Sequence, residues 1–177
     1  MREIIYYVAT SLDGYIAGPD EDISLFAYEG NGVEQYQKDL LDFDTVIMGR
    51  KTYEFGYKFG LQPGAPAYPH MRHYIFSSSM VLDNPDEKVQ VVPMNLELIR
   101  QLKAEEGTPI YLCGGGEFAA WLLEHDLIDV LKVKLNPIVL GGGTPLFGSS
   151  TKAFKGRLES SESYEGGLMF NTYRLKS

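Results

Sequence analysis

Two segments of the chain join an apolar run to glycine and to polar residues that suit phosphate binding. They have the sequences VIMGRKT at 46–52 and IYLCGGG at 110–116. Glycine lets a ligand approach the backbone closely, and Arg50 and Lys51 place positive charge beside it. Thr52 adds a hydroxyl group. The chemistry that these residue types predict is the binding of a phosphate or pyrophosphate group.

The elements that must position these residues are a strand before each glycine and a helix after it. The N-terminus of a helix carries unpaired N–H groups and about half a positive charge. Two such junctions on one sheet can hold both ends of a pyrophosphate, as a dinucleotide requires. Two simpler interpretations stay open. In the first, Gly49 only ends a strand and Arg50 pairs with a surface carboxylate. In the second, the glycines at 114–116 form only a tight turn.

Residues near these junctions carry weaker signals. Glu117 follows the three glycines, and its charge suits the start of a helix but not a phosphate, so we expect its side chain to point away. Ser77, Ser78 and Ser79 follow an apolar run at 74–76. Their hydroxyl groups can bind a ribose phosphate or simply form a polar turn.

The histidines and the single cysteine are predicted to be structural. His70 and His73 are three positions apart with no third ligand nearby, so we expect solvated loop residues and no metal site. Cys113 lies in an apolar run and is expected to be a small core residue. A single cysteine excludes a disulfide within the chain, which favours a cytoplasmic location.

The composition predicts a folded chain with one domain over residues 1–177. The hydrophobic fraction is 44%, and the chain has 12 Tyr and 9 Phe, which is enough for a substantial core. The formal net charge of −8 opposes binding to nucleic acid or to anionic membranes. The apolar run at the N-terminus is too short for a signal peptide or a membrane span. We therefore expect a small-molecule substrate, with no nucleic acid and no membrane as partner.

The hydrophobic pattern predicts alternating strands and helices that end in a hairpin. We expect helices at 32–42, with Asn31 as the N-cap, at 95–105 and after 116. The predicted strands are 2–10, 44–48, 74–76, 89–92, 110–113 and 130–135, and the hairpin turns at Glu165–Gly167. The predicted fold class is α/β, a three-layer α/β/α sandwich with a mostly parallel central sheet and an antiparallel C-terminal hairpin.

Four segments of the sequence resemble the hallmark segments of a known family. They are ATSLDGYIA at 9–17, MGRKTYE at 48–54, GGGEF at 114–118 and PIVLGGGTPLF at 137–147. In this order they resemble the dihydrofolate-reductase-like family, and most of all the branch that contains the C-terminal reductase domain of the bacterial riboflavin-biosynthesis deaminase/reductase. The likeness covers nearly the whole chain.

The resemblance implies that NADPH binds at the carboxyl edge of the sheet. By this likeness Ala9 and Ile16 flank the nicotinamide. The implied phosphate contacts come from Gly49, Arg50, Lys51 and Thr52. Ser77 and Ser78, with Arg50, are implied to contact the adenosine 2′-phosphate. The backbone N–H groups that contact the pyrophosphate are implied to be those of Gly115, Gly116, Glu117 and Phe118.

Two acidic residues are candidates for the catalytic role. Dihydrofolate reductases use an acid on the first helix to engage the pterin, and Glu34 is the acid of this helix that comes nearest to that position. Asp13 is the second candidate, although it also suits an Asx turn before Gly14. The Met-Pro-Trp segment of dihydrofolate reductases is absent, since residues 18–23 occupy its place, which disfavours dihydrofolate as the substrate.

The function that the resemblance implies is NADPH-dependent hydride transfer to a small heterocyclic or ribosylaminopyrimidine substrate. Two alternatives stay open: a true dihydrofolate reductase, and a nucleotide-binding protein of the same fold without catalysis. We also expect a homodimer, because riboflavin-pathway relatives form them and the strand at 130–139 is long and apolar.

Overall fold

A sheet of eight strands forms the centre of the computed structural model, which describes residues 1–175. A second, two-stranded sheet lies beside it. The strands in chain order are β1 (Ile4–Thr10), β2 (Tyr15–Ala17), β3 (Thr45–Gly49), β4 (Arg72–Phe76), β5 (Val89–Val92), β6 (Ile110–Gly114), β7 (Val130–Leu135), β8 (Thr144–Pro145), β9 (Arg157–Ser163) and β10 (Met169–Arg174).

The order of the large sheet is β5-β4-β3-β6-β1-β7-β10-β9. The six strands from β5 to β7 are parallel, and β10 runs antiparallel to both β7 and β9. The remaining strands, β2 and β8, pair with each other in the small antiparallel sheet. The predicted parallel sheet with an antiparallel end is therefore confirmed, whereas β2 and β8 were not predicted.

Four α-helices in the described part of the chain cover the two faces of the large sheet. They are α1 (Asn31–Leu40), α2 (Arg50–Phe55), α3 (Leu96–Ala104) and α4 (Gly116–Glu124). Alternate residues of β1 point to opposite faces, so that Tyr6 packs with residues of α3 and α4, and Tyr7 packs with residues of α1 and α2. This arrangement gives the predicted three layers.

The amino ends of the central strands are tied together by the buried side chain of Arg2. Its Nε donates to the carbonyl oxygen of Thr108 across 2.6 Å, and its Nη2 contacts Asp44 and the hydroxyl of Thr45. Asp44 in turn accepts a hydrogen bond from the backbone N–H of Thr108. These contacts join the start of β3 to the start of β6 at the edge of the sheet opposite the predicted phosphate site.

Two predictions about local structure are corrected. Helix α1 begins at Asn31, not after it, and the Asn31 side chain accepts a hydrogen bond from the backbone N–H of Glu165. His73 is fully buried, not solvated: its Nε2 accepts from the backbone N–H of Tyr68, and its Nδ1 faces the carbonyl oxygen of Met71 at 3.0 Å. His70 is exposed as expected, and it contacts the carbonyl oxygen of Leu40.

The strand that was expected to serve dimer formation is not free to do so. β7 lies between β1 and β10, so both of its backbone edges are already paired. The outer strand on this side of the sheet is β9, in which all seven residues are exposed. No helix within residues 1–175 is both long and apolar enough to cross a membrane.

Candidate active site

A cleft of about 920 Å³ runs along the carboxyl ends of the central parallel strands. In parallel α/β sheets this edge is where ligands bind, because strand ends and helix starts meet there. Nine of the predicted cofactor residues line the cleft: Ile16, Gly49, Arg50, Lys51, Thr52, Gly115, Gly116, Glu117 and Phe118.

The two glycine junctions meet in this cleft because their strands are neighbours. β3 and β6 pair in parallel, with Ile47 opposite Leu112, so both strands end at the same edge. A methyl group on Gly49 would lie 3.3 Å from Cβ of Phe118, and one on Gly115 would lie 3.0 Å from Oγ1 of Thr52. The close approach of each junction to the other therefore depends on glycine.

Helix α4 presents its N-terminus to the cleft without a side-chain cap. Gly115 precedes the helix and caps none of its N–H groups through a side chain. The first N–H groups of a helix have no acceptor within it, so they are available to an anion. Gly116 must be small as well, since a methyl group there would lie 2.6 Å from the carbonyl oxygen of Pro145.

The carboxylate of Glu117 is engaged by the neighbouring loop. Its Oε2 accepts a hydrogen bond from the Ser149 hydroxyl at 2.8 Å, although the residue also lines the cleft. The Ser149 hydroxyl therefore gives the Glu117 carboxylate a hydrogen-bond partner other than the N–H groups of α4. The cations of the cleft, Arg50 and Lys51, are then left to attract a phosphate.

Arg50 reaches the serine turn after β4 through Ser79, and not through Ser77 or Ser78, which the family resemblance implied. Its Nη1 lies 3.4 Å from the Ser79 hydroxyl and its Nε lies 3.8 Å from Glu54. Ser77 uses its hydroxyl to accept from the backbone N–H groups of Ser79 and Met80, which forms the turn. None of these three serines lines the cleft, and Ser79 is the one that contacts Arg50.

Asp13 holds two loops together outside the cleft. Its Oδ1 accepts from the Ser11 hydroxyl and the backbone N–H of Leu140, and its Oδ2 accepts from the backbone N–H of Gly141. The Ser11 hydrogen bond, with these backbone donors, lowers the pKa of Asp13 to about 2. Both oxygens of this carboxylate accept hydrogen bonds that fix two distant loops to each other, and the catalytic role of Asp13 stays a prediction.

Two other predicted residues also lie apart from the cleft lining. Glu34 is exposed on α1, and Ala9 is half-buried while its neighbour Val8 lines the cleft. Ala9 is paired in register with Lys134 of β7, and Tyr7 is paired with Lys132. Because Tyr7 packs on the α1 side, Ala9 faces that side too.

A polar cluster on this α1 side was not predicted from the sequence. Tyr36 and Tyr111 share a hydrogen bond between hydroxyl oxygens 2.6 Å apart, and the Tyr68 hydroxyl lies 3.6 Å from Sγ of Cys113. Nζ of Lys134 lies 3.2 Å from the centre of the Tyr36 ring. Cys113 also lines the cleft, so it is a wall residue and not simply a core residue. The signal in the sequence was the alternation of Lys132 and Lys134 along an otherwise apolar strand.

The loop after β2 closes one side of the cleft. Residues 17–21 line it, and Glu21 forms an ion pair with Lys58 at 2.9 Å. Gly143 packs so tightly beneath this loop that a methyl group there would lie 2.0 Å from the carbonyl oxygen of Ala17. The glycine run at 141–143 therefore supports the loop that borders the cleft.

A family model described as the RibD C-terminal domain matches residues 2–170. The chain belongs to the RibD C-terminal domain family. Within this family, it is 34% identical over 177 residues to YwjB of Bacillus subtilis (strain 168), an uncharacterised protein, with 98% of each chain covered. The family assignment agrees with the resemblance carried by the four sequence segments.

Solved structures of other proteins share the fold of this RibD C-terminal domain. A Shewanella sp. PV-4 protein provisionally assigned to riboflavin biosynthesis has a TM-score of 0.79 and 28% identity, with all of both chains covered. The Thermotoga maritima diaminohydroxyphosphoribosylaminopyrimidine deaminase/5-amino-6-(5-phosphoribosylamino)uracil reductase has a TM-score of 0.71 and 15% identity over 99% of this chain and 57% of its own.

Dihydrofolate reductase from Enterococcus faecalis, solved with NADP(H) and an inhibitor, has a TM-score of 0.69 and 16% identity over 99% of this chain and 97% of its own. At this identity the likeness shows the fold alone. The predicted dihydrofolate-reductase-like fold is thus confirmed, and the family model agrees with the riboflavin-type branch that the sequence resembles.

Proposed function

We propose that this protein is an NADPH-dependent reductase that acts on a C=N or C=O group of a small heterocycle of the ribosylaminopyrimidine type. The observation that carries the proposal is the meeting of the two glycine junctions, with the N-terminus of α4 between them and Arg50 at one end. This arrangement suits a ligand with a pyrophosphate in the middle and a further phosphate near Arg50.

The residues present in the cleft fit such a cofactor. The volume of about 920 Å³ is at the upper end of the range typical of small-molecule and cofactor sites. Gly115 and Gly116 allow the pyrophosphate to approach the N–H groups of α4, and Arg50 with Ser79 offers donors to a 2′-phosphate. When bound, NADPH supplies a hydride equivalent, and the protein holds and orients the reacting groups.

The chain's own residues have three tasks in this proposal. The cations Arg50 and Lys51 balance the phosphate charge. Loop residues 17–21, supported by Gly143, border the cleft and limit the access of water to the reacting groups. The α1 side, where Ala9 lies opposite Lys134, is left for the substrate.

The substrate class is supported by the relatives of the family. The Thermotoga maritima protein acts, by its name, as a 5-amino-6-(5-phosphoribosylamino)uracil reductase. A cluster of three phenols joins the cleft wall at Cys113, and such a cluster suits a flat heterocycle, because aromatic rings stack on one another. We further propose that the protein is a cytoplasmic homodimer. Light scattering is then expected to give about twice 19.8 kDa, and particles of 19.8 kDa would contradict the dimer.

The experiment that tests the function is a parallel titration with NADPH and NADH, followed by an assay of NADPH oxidation. Trp121 reports binding through its fluorescence, since it stacks on Phe118 of the cleft wall. We expect tighter binding of NADPH than of NADH, and turnover with 5-amino-6-(5-phosphoribosylamino)uracil. Turnover with dihydrofolate instead would identify a dihydrofolate reductase, and NADPH binding without turnover on either compound would indicate a nucleotide-binding protein without catalysis.

A further inference from the structure

Lys134 is held on the substrate side of the sheet by an aromatic ring. Its Nζ lies 3.2 Å from the centre of the Tyr36 ring, where a cation is attracted by the face of the ring. The residue is half-buried near the carboxyl end of β7 and is in register with Ala9 of β1. Lys134 therefore stands where the ends of these two strands meet α1.

Lys132, on the same face of β7, has the contacts expected of a structural lysine. Nζ of Lys132 lies 2.6 Å from Oδ2 of Asp39, and it also lies over the ring of Tyr7. Lys134, by contrast, has no Asp or Glu oxygen within 4 Å among residues 1–175. A partly buried cation without a counter-ion lowers the stability of the fold, so the presence of Lys134 here points to a role other than stability.

The titratable groups in the cluster that Lys134 joins through Tyr36 are all neutral at neutral pH. Tyr36 comes from α1, Tyr111 and Cys113 come from β6, and Tyr68 comes from the loop before β4. Burial raises the pKa of each of the three phenols and of the Cys113 thiol. The cluster thus has one cation, Lys134, among neutral partners, and Cys113 connects it to the cleft wall.

We infer that Lys134 is the catalytic residue that donates the proton when the substrate is reduced, with the flat ring of the substrate lying between Ala9 and the phenol cluster. The inference rests on the proposed reductase function. Reduction of a C=N or C=O group forms a C–H bond with the hydride. The electron pair of the broken π bond takes a proton from Nζ of Lys134, which becomes a neutral amine and regains a proton from water.

The acidity of Lys134 suits this task. Burial lowers its pKa to about 8 from the ordinary 10.5. A proton donor works best when its pKa lies near the working pH, because the group is then largely protonated and still acidic enough to release the proton. Since only the ammonium form can donate, turnover is expected below this pKa and is lost as the pH rises through it.

The first test compares Lys134→Met and Lys134→Arg with the control Lys132→Met. Arginine keeps the charge but does not release a proton at neutral pH, so it separates proton donation from simple attraction. We expect both Lys134 variants to lose about 100-fold or more in kcat for NADPH oxidation with 5-amino-6-(5-phosphoribosylamino)uracil, with unchanged NADPH affinity. Lys132→Met should melt at a lower temperature, because Asp39 loses its partner, while the folded variant retains its kcat.

The second test does not depend on turnover. Lysine labelled with carbon-13 at Cε gives one NMR signal for each lysine, and the signal missing from Lys134→Met identifies Lys134. We expect this signal to titrate near pH 8 and to move when the pyrimidine is added. A signal that titrates with the ordinary lysine pKa of 10.5 and does not shift when the pyrimidine is added would overturn the inference.

The outcomes separate this inference from the proposed function. If the wild-type protein neither binds NADPH nor oxidises it, the function and the proton donor both fail. If the wild type turns over while Lys134→Met or Lys134→Arg retains its rate within about threefold, the function stands and only the role of Lys134 is overturned.

Discussion

The guanidinium of Arg50 lies 3.4 Å from the hydroxyl of Ser79, and this contact joins the helix that follows β3 to the turn that follows β4. The pair sits at one end of the cleft, beyond the meeting point of the two glycine junctions. We propose that this pair distinguishes a phosphorylated ribose from an unmodified one.

Replacing Arg50 tests that distinction. Arg50→Ala should weaken NADPH binding by about 1–3 kcal/mol, because a charge-assisted hydrogen bond to the 2′-phosphate is lost, and should leave NADH binding nearly unchanged. Parallel fluorescence titrations measure the two affinities. Lys51→Ala is the matched control and should weaken both cofactors alike. An equal loss for both cofactors in Arg50→Ala would remove its 2′-phosphate role.

Gly116 should tolerate no side chain. In Gly116→Ala the new methyl group would lie 2.6 Å from the carbonyl oxygen of Pro145, so the turn before Gly148 must move. We expect a loss of about 1–3 kcal/mol in the free energy of unfolding and weaker NADPH binding. Urea denaturation and titration measure these effects. Gly142→Ala is the control, since its methyl group would meet Pro19 only at 4.0 Å.

Asp13 variants separate a loop contact from a catalytic acid. Asp13→Asn retains an oxygen that accepts hydrogen bonds, so we expect it to keep most of the turnover rate. Asp13→Ala loses the contact with Ser11 and both contacts between the loops, so it should melt at a lower temperature. Thermal melts and NADPH oxidation are measured on the same samples. A rate that collapses in Asp13→Asn while the melting temperature stays constant would restore the catalytic assignment.

Glu34 is expected to be dispensable. Its side chain is exposed on α1 and does not line the cleft. Glu34→Gln should therefore leave kcat and KM for the pyrimidine within about twofold of the wild type. Steady-state kinetics checks this outcome. Strong antifolate binding together with a large loss of rate in Glu34→Gln would instead favour a true dihydrofolate reductase.

The buried His73 predicts a loss of stability in mild acid. Burial lowers its pKa to about 4, and its Nε2 must stay unprotonated to accept from Tyr68. In the unfolded chain the pKa of His73 is 6.5, so as the pH falls the unfolded state binds the proton before the folded state does. The stability that neutral His73 contributes is therefore complete above pH 6.5 and is lost as the pH falls towards 4. We expect this to amount to on the order of 3 kcal/mol.

Urea denaturation at several pH values measures this dependence. His73→Gln, which cannot titrate, serves as the comparison because other acidic groups contribute equally to both proteins. A pH dependence that is the same in both proteins between 4 and 6.5 would show that His73 does not cause it.

The sequence predicted those features that depend on neighbours along the chain. The apolar runs before Gly49 and Gly114, the helix that starts near Asn95 and the glycine turn at 165–167 are local patterns, and each appears in the structure. Two junctions of the same kind also predicted a shared site, because parallel strands end at a common edge.

The features that were missed depend on contacts between distant segments. Pairing of β2 with β8 joins very short runs across more than 120 residues, so neither run has a periodic signal of its own. His73 looked solvated because its partners, the backbone groups of Tyr68 and Met71, leave no trace in side-chain patterns. Lys134, Tyr36 and Cys113 come from three separate elements, and only the fold brings them together.

The opposite edges of the sheet are stabilised by separate sets of residues. Arg2 ties the amino ends of β3 and β6 far from the cleft, while the loops at the carboxyl ends line the cleft. Selection can therefore alter loops such as 17–21 or the phenol cluster without loosening the anchor at the other edge. A scaffold divided in this way can acquire a new substrate by changes at one rim alone, which offers a physical reason for dihydrofolate-type and riboflavin-type reductases to share one framework.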